Sequence, residues 1–372
     1  MESGIYLGRV WGIPIRLHMS WFIIFFLVTW SLAAGYFPTE YPTLGIPSFW
    51  IMGAVTSILF AASVLLHELG HSFVALRNQV PVRSVTLFLF GGVAQIGREP
   101  DSAAAELRIA VAGPLTSLAL AGLFGGLYLL DSPVPFLAAP SAWLARINFM
   151  LAAFNMIPGF PLDGGRVLRA LIWSWTKSLP RATRVAVASG QIVALGFIGI
   201  GIFNVFNGDI YNGVWLASIG WFLQNAASST KSQSAIKQAL GGVSVEQVMN
   251  RNYPTIPCTM TIEDLVENKI LGSGGRIFLV RGDGDACLGL LTINEVRRLP
   301  RKDWPSTTAA DIMIPYDSMV VVKPQTELLE ALQLMDNANV AQLPVMENGS
   351  VSGILSREQI LRYVRLRAEV GA

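Results

Sequence analysis

Two of the chain's three histidines, His67 and His71, lie four residues apart in LLHELGHSF at 65–73, with Glu68 next to the first. On a helix, positions i and i+4 share a face, so both imidazoles can reach one cation. Glu68 stands beside that face rather than on it, placed to handle the protons of a water attacking at the metal. This is HExxH, the zinc-metalloprotease pattern. The plainer alternative is a pair of structural histidines in a helix bundle, but ionisable groups in an apolar run mark functional sites.

A catalytic zinc takes three protein ligands and keeps one position open. The third histidine, His18, begins a different apolar run. Asp163, in FNMIPGFPLDGGR at 154–166, is the only acidic residue between Asp131 and Asp209. It follows an apolar run broken by Pro158, Gly159 and Pro161. Residue type alone leaves Asp163 divided between metal ligand and N-cap of the helix begun by GGRVLRALIW.

The elements that hold these groups are apolar. The 372 residues are 52% hydrophobic and 14% charged, against roughly 25% charged in soluble domains. Charge is uneven: 21 Asp, Glu, Lys and Arg fall in 1–228 and 31 in the shorter remainder. A membrane region followed by a soluble region is therefore expected. No basic run suggests nucleic acid, and two cysteines, Cys258 and Cys287, give no disulfide framework. Apolar runs near 18–36, 49–76, 103–130, 142–160, 185–206 and 211–227 approach the ~20 residues that cross a bilayer. The small-residue stretch Ser31-Leu32-Ala33 is like a signal cleavage site, but Arg9 and Arg16 precede it and further spans follow. Segments 37–48, 131–141 and 207–210 lack Lys and Arg, whereas the alternate segments carry Arg77, Arg83, Arg98, then Arg166 to Arg184, then Lys231 and Lys237. That alternation puts both termini in the cytoplasm.

HELGH in an early span followed by NMIPGFPLDGG in a later one resembles the site-2 protease family of intramembrane zinc metalloproteases, an expected prokaryotic cell-membrane protein. GIPIRLHMSWF at 12–22, LFLFGGVAQI at 87–96 and AELRIAVAGPLTS at 105–117 extend the likeness. The resemblance implies one Zn2+ per chain on His67, His71 and Asp163, with Glu68 as general base. It also implies that Asn155 positions substrate or stabilises the developing oxyanion. His18 matches a position found in this branch and is read as a polar anchor at headgroup level.

Residues 85–96 read as two short β-runs around Gly91-Gly92, each too short to cross a membrane, hence a re-entrant hairpin on the cytoplasmic side. Its edge, with Phe90, Gly91, Gly92 and Val93, can hold an unwound substrate as an added strand, or the hairpin simply connects two spans. Gly190, Gly196 and Gly199 suit close helix packing. GSGG at 272–275 lacks the Lys-Ser/Thr of a phosphate loop and reads as a turn.

The tail is an internal duplication. VEQVM at 245–249 matches AADIM at 309–313, and LGLLTINEV at 288–296 matches SGILSREQI at 352–360, both at an offset of 64 residues. Each copy reads strand–helix–strand–strand–helix. The pattern resembles a pair of CBS (cystathionine-β-synthase) domains. That implies an adenine nucleotide between the repeats, held by Thr292 and Glu295, Gln359 being the uncharged counterpart. A ligand-free scaffold forming homo-oligomers is the alternative.

The expected architecture is a polytopic α-helical membrane domain of about six transmembrane helices with a re-entrant β-hairpin, plus a soluble α/β CBS pair. Its divisions are 1–228 membrane domain, 229–242 linker, 243–304 first repeat and 305–372 second repeat. The expected activity is zinc-dependent cleavage of membrane-anchored proteins in or near the bilayer, modulated by the CBS pair. The rival is a CBS-gated metal-ion transporter or channel, in which Glu68 could be neutralised without loss of transport. A catalytically silent binding protein is a third reading, against which the intact HELGH and LDG motifs stand.

Overall fold

The computed structural model describes residues 4–89, 91–130, 135–272, 274–282, 287–348 and 350–370. The chain divides into two compact units, Met1–Ser234 and Ala235–Ala372. Phe90, expected at the substrate edge, and Ser273 of the GSGG turn lie outside the described residues.

The first unit opens with a hairpin. β1 (Ile5–Val10) and β2 (Ile13–Leu17) pair antiparallel across Trp11-Gly12. Both turn residues have positive φ (50° and 80°), the twist a two-residue hairpin turn prefers. Along β2, Ile13, Ile15 and Leu17 alternate inward and are buried, as the two-residue period of a strand requires.

α1 (Trp21–Ser31), a π-helical turn at Leu32–Tyr36 and α2 (Phe37–Glu40) make one apolar helix of 20 residues. α3 (Ile46–Arg77) follows, 32 residues long. At ~1.5 Å per residue it exceeds the roughly 30 Å hydrocarbon layer. Small and hydroxyl side chains join it to α1: Thr29 donates to Ser57 at 3.0 Å. A Cβ on Gly53 would lie 2.9 Å from the Thr29 carbonyl.

β3 (Val82–Phe88) and β4 (Gly91–Ile96) form a hairpin in which Gly91 and Gly92, expected between the two runs, are the first residues of β4, opposite Phe88 and Leu87; it joins β1 and β2 in one sheet of order β1-β2-β3-β4. β2 runs parallel to β3, with Ile15 opposite Val85 and Leu17 opposite Leu87. β4 pairs with β3 alone and forms an edge of this sheet.

α4 (Ala103–Leu130), α5 (Pro135–Asn155), α6 (Asp163–Thr176), α7 (Leu179–Phe206) and α8 (Ile210–Leu240) complete the unit. α4 packs against α3, α5 and α6. Among the described residues, five helices are long and apolar enough to cross a membrane: Trp21–Glu40, α3, α4, α5 and α7. The sixth expected run, 211–227, opens α8, where Asn212, Gln224 and Asn225 lower its hydropathy. The fourth, expected at 142–160, begins earlier and ends at Asn155, because Pro158, Gly159 and Pro161 cannot extend a helix. Gly190 is in a tight contact, as its small size suggested. By contrast, a Cβ on Gly196 or Gly199 would meet nothing within 4 Å among the described residues.

Residues 229–240 of the expected linker continue α8 as helix, those up to Ser234 in the first unit and the rest in the second. The first repeat has β5 (Thr255–Pro257), α9 (Ile262–Asp264) extended by a π-helical stretch to Leu271, β6 (Ile277–Arg281), β7 (Cys287–Thr292) and α10 (Ile293–Arg298). α11 (Ala309–Ile312) and β8 (Ile314–Pro315) open the second repeat. It contains α12 (Leu328–Ala338), β9 (Gln342–Glu347), β10 (Ser350–Ser356) and α13 (Arg357–Val370).

The 64-residue offset survives as pairing. Ile314 pairs with Leu290 in β7, and Asn250 pairs with Ile354 in β10. A Cβ on Gly289 would crowd Met313, and one on Gly353 would crowd Met249, each glycine facing the other copy's leading methionine. Two cores match the two copies, one around Leu240, Met335 and Val345 and one around Ile262, Phe278 and Leu291.

Candidate metal centre

The centre is built from the C-terminal half of α3, the middle of α4 and the first turn of α6. His67 and His71 are buried on one face of α3, at 4% and 5% exposure. Their Nε2 atoms lie 3.2 Å apart, and Asp163 Oδ2 lies 3.2 Å from the first and 3.1 Å from the second. Donors at tetrahedral angles around a zinc with bonds of about 2.0–2.1 Å are themselves about 3.3 Å apart, so this triangle has the right size. Two imidazoles and a carboxylate are also a zinc donor set. It is the one such three-donor group among the described residues.

The other ring nitrogens are spoken for. His71 Nδ1 lies 2.7 Å from the Ile109 carbonyl. A carbonyl only accepts, so this nitrogen carries the proton and Nε2 keeps its lone pair for a cation. His67 Nδ1 lies 2.9 Å from Ser117 Oγ. Both partners come from α4, which therefore orients the rings.

Between those two contacts stands Gly113. A Cβ built there would overlap Nε2 of both histidines, so the absent side chain leaves the space in which the three donors meet. Gly70 has a similar role on α3, where a Cβ would overlap Thr116 Oγ1. α3 and α4 thus approach closely at the level of the site.

Asp163 is the first residue of α6; the N-cap is Leu162, which makes no side-chain cap. The Asp163 carboxylate turns to the histidines instead. A carboxylate at a helix N-terminus also gains from the helix dipole. The preceding loop is fixed by close backbone contacts: Phe160 N–H donates to the Ala186 carbonyl at 3.1 Å. Ser189 Oγ donates to the Pro158 carbonyl. Gly164, Gly165 and Gly190 admit this packing, since a Cβ on any of them would overlap loop backbone.

Glu68 lies beside the tripod and against the sheet. The Ala94 main-chain N–H reaches its carboxylate. A Cβ on Gly92 would overlap Glu68 Cγ. Strand β4 therefore passes directly over the glutamate, a link that motif spacing did not reveal. Gly91 begins this strand at φ 127°, where an L side chain is strained. Val93 is exposed, at 46%.

Asn155 ends α5, is half-buried and makes no side-chain hydrogen bond among the described residues. His18 is elsewhere: its N–H donates to the Leu87 carbonyl at 2.8 Å, extending the β2–β3 ladder, and its Nδ1 lies 2.8 Å from Ser20 Oγ. It ties the sheet to α1. In the second unit, Thr292 and Glu295 engage each other. The carboxylate accepts from Thr292 N–H at 3.1 Å and from its hydroxyl, a capping box at the start of α10. Ser356 and Gln359 repeat the arrangement at α13, Ser356 N–H donating to Gln359 Oε1 at 2.7 Å.

The chain is similar to known proteins along nearly its whole length. The profile of Peptidase family M50 matches residues 55–141 and 130–198, and that of the CBS domain matches 245–302 and 309–366. A Synechocystis protein named zinc metalloprotease sll0528 is 35% identical over 373 residues, covering 99% of this chain and 97% of its own. One from Mycobacterium tuberculosis, named zinc metalloprotease Rip3, is 36% identical over 370 residues, with 98% and 93% covered. The solved site-2 protease from Methanocaldococcus jannaschii is 31% identical, covering 61% of this chain and 95% of its own at a TM-score of 0.43.

Proposed function

The chain belongs to peptidase family M50, the site-2 proteases, and is a multi-pass membrane zinc metalloprotease with a CBS pair; from that premise we propose that it hydrolyses membrane-anchored proteins within or beside their transmembrane segment. The observation that carries this reading is the meeting of His67, His71 and Asp163 beside Glu68, roughly two thirds of the way along an apolar helix. A site at that depth serves substrates that are themselves in the bilayer.

His67, His71 and Asp163 are the proposed zinc ligands, one ion per chain. Zinc in such a site supplies Lewis acidity, polarising a carbonyl and acidifying a water. Glu68 takes the proton of the attacking water and returns it to the leaving amine. Ala94 N–H and the bare face of Gly92 hold its carboxylate in place. The His71 and His67 rings stay fixed through Ile109 and Ser117.

A transmembrane substrate must unwind before its peptide bonds are reachable, and its freed N–H and C=O groups then need partners. The edge of β4 can supply them by strand addition, with Gly91, Gly92 and Val93 alongside the substrate and Asn155 hydrogen-bonding its main chain. The hairpin is read as re-entrant from the cytoplasmic side. The CBS pair is the proposed regulator. An adenine nucleotide binding near Thr292 and Glu295 would draw hydroxyl and carboxylate out of their capping box. It can alter proteolysis only by binding two arrangements of the tail unequally.

Glu68→Gln tests the core of this reading. The purified variant should keep its zinc and its melting temperature while cleavage of a membrane-anchored substrate is abolished, because the proton acceptor is gone and the shape is kept. Cleavage near the wild-type rate would sink the protease mechanism and favour ion transport.

A further inference from the structure

The first two turns of α6 carry three charged groups, Asp163, Arg166 and Arg169, and two of them are held at hydrogen-bond distance by other side chains. Asp163 faces the histidines. Arg169 Nε donates to Glu106 Oε1 at 2.7 Å, with Nη2 on the same oxygen. Its guanidinium also lies 5.2 Å over the Phe160 ring and 3.8 Å from Glu99. Glu106 is fully buried, and Arg169 neutralises it.

Among the described residues, Arg166 has only a long ion pair. Its side chain is 17% exposed, and its Nε stands 3.9 Å from Glu106 Oε1, too far for a hydrogen bond. No hydrogen bond from its side chain occurs among the described residues. A largely buried guanidinium has five donors to satisfy, at a cost that rises in a membrane. Helical side chains lean toward the N-terminus, so Arg166 leans back over the turn that holds Asp163. It shares its field with Asp163 and Glu68 as well as Glu106.

We propose that Arg166 is a further catalytic residue: its guanidinium donates hydrogen bonds to the scissile carbonyl oxygen as that oxygen becomes an oxyanion. This rests on the proteolytic reading above. The attacking water oxygen forms a bond to the carbonyl carbon, and its proton passes to Glu68. The π pair of the carbonyl moves onto the oxygen facing Arg166. The C–N bond then breaks, its pair stays on nitrogen, and nitrogen takes the proton from Glu68. The oxyanion closes back to a carbonyl, leaving a carboxylic acid and an amine. Arg166 gains and loses no proton; it stabilises charge where charge develops.

The rival role is structural, with Arg166 swinging to Glu106 Oε2, a buried oxygen without a hydrogen-bond partner among the described residues. Full-length wild type, Arg166→Gln and Arg166→Lys separate the two. The probes are a fluorogenic single-span peptide with a central Gly-Pro, in detergent, and a phosphinic peptide of the same sequence, which carries an anionic tetrahedral centre. Arg166→Gln should lower kcat by about 100- to 1,000-fold with KM little changed, and weaken the phosphinic peptide by a similar factor. Arg166→Lys should recover a fraction of both, and zinc content and melting temperature should match wild type. The proposal is overturned if Arg166→Gln cleaves within about threefold of wild type, or if activity falls only in step with zinc and stability. A wild-type protein that neither cleaves the one probe nor binds the other overturns the proteolytic reading itself, and this role with it.

Discussion

At the level of single residues, the metal centre depends on one that offers no ligand at all. Gly113 leaves empty the volume in which three donor atoms meet, and any Cβ there overlaps both imidazole Nε2 atoms. Gly113→Ala should therefore lose most of its zinc, measured by elemental analysis of the purified protein, while remaining helical and extractable as a monodisperse membrane protein. Full zinc occupancy in that variant would show that the rings can retreat and that Gly113 serves helix packing alone. His67→Ala and His71→Ala should be empty in the same assay. The His67–Glu68–His71 constellation was legible because it needs only the helical period. Asp163 was not legible from residue type, since its partners lie 96 and 92 positions away; family likeness singled it out. Ser117 and the Ile109 carbonyl were hidden for a different reason. A main-chain oxygen has no sequence signature, and a serine in an apolar helix reads as a packing residue.

Among the elements, α6 is the one whose placement decides the site, because it brings Asp163 to α3. Its anchor is the buried pair of Glu106 on α4 and Arg169, made through two guanidinium nitrogens. Removing one partner of such a pair leaves an uncompensated charge and costs about 3–5 kcal/mol. Glu106→Gln should thus lower the melting temperature and zinc retention together, followed by thermal unfolding in detergent with zinc release read in parallel. An unchanged melting temperature would remove the anchor from the account. Reading Lys and Arg by count placed Arg166 and Arg169 with Lys177, Arg181 and Arg184 among the charges of one segment between spans. In the structure both sit on α6, and Arg169 is buried. Charge counting cannot distinguish a surface arginine from one that a distant glutamate neutralises. The β3–β4 hairpin was legible from its β-rich runs and its glycines. Its continuation into β1 and β2 was not, because Trp-Gly lacks the Asn-Gly or Asp-Gly signature of a tight hairpin turn. A parallel partnership between β2 and β3 spans two membrane-length helices, Trp21–Glu40 and α3, and leaves no local pattern.

For the whole molecule, the parity of crossings decides on which side of the membrane the CBS pair works. Five helices meet the length and hydropathy of a span among the described residues. Five crossings would place the two termini on opposite sides. The Lys and Arg distribution argues for a sixth through the first half of α8, since the connection at 207–210 has no basic residue. Asn212, Gln224 and Asn225 weaken that crossing, but a helix that packs on its neighbours need not be apolar all round. Contacts of this kind exist: a Cβ on Gly201 would lie 2.6 Å from Ala217 N, and one on Gly220 would lie 2.6 Å from the Ala194 carbonyl, so α7 and α8 pack backbone to backbone. Single cysteines in a background lacking Cys258 and Cys287 test the parity in intact cells with a membrane-impermeant maleimide. Glu40→Cys and Gly208→Cys should label from outside. Arg98→Cys, Ser178→Cys and Gly272→Cys should label only after the membrane is opened. Labelling of Gly272→Cys from outside, with the other four unchanged, would leave α8 on the outer face. Cytoplasmic nucleotides could then have no access to the CBS pair.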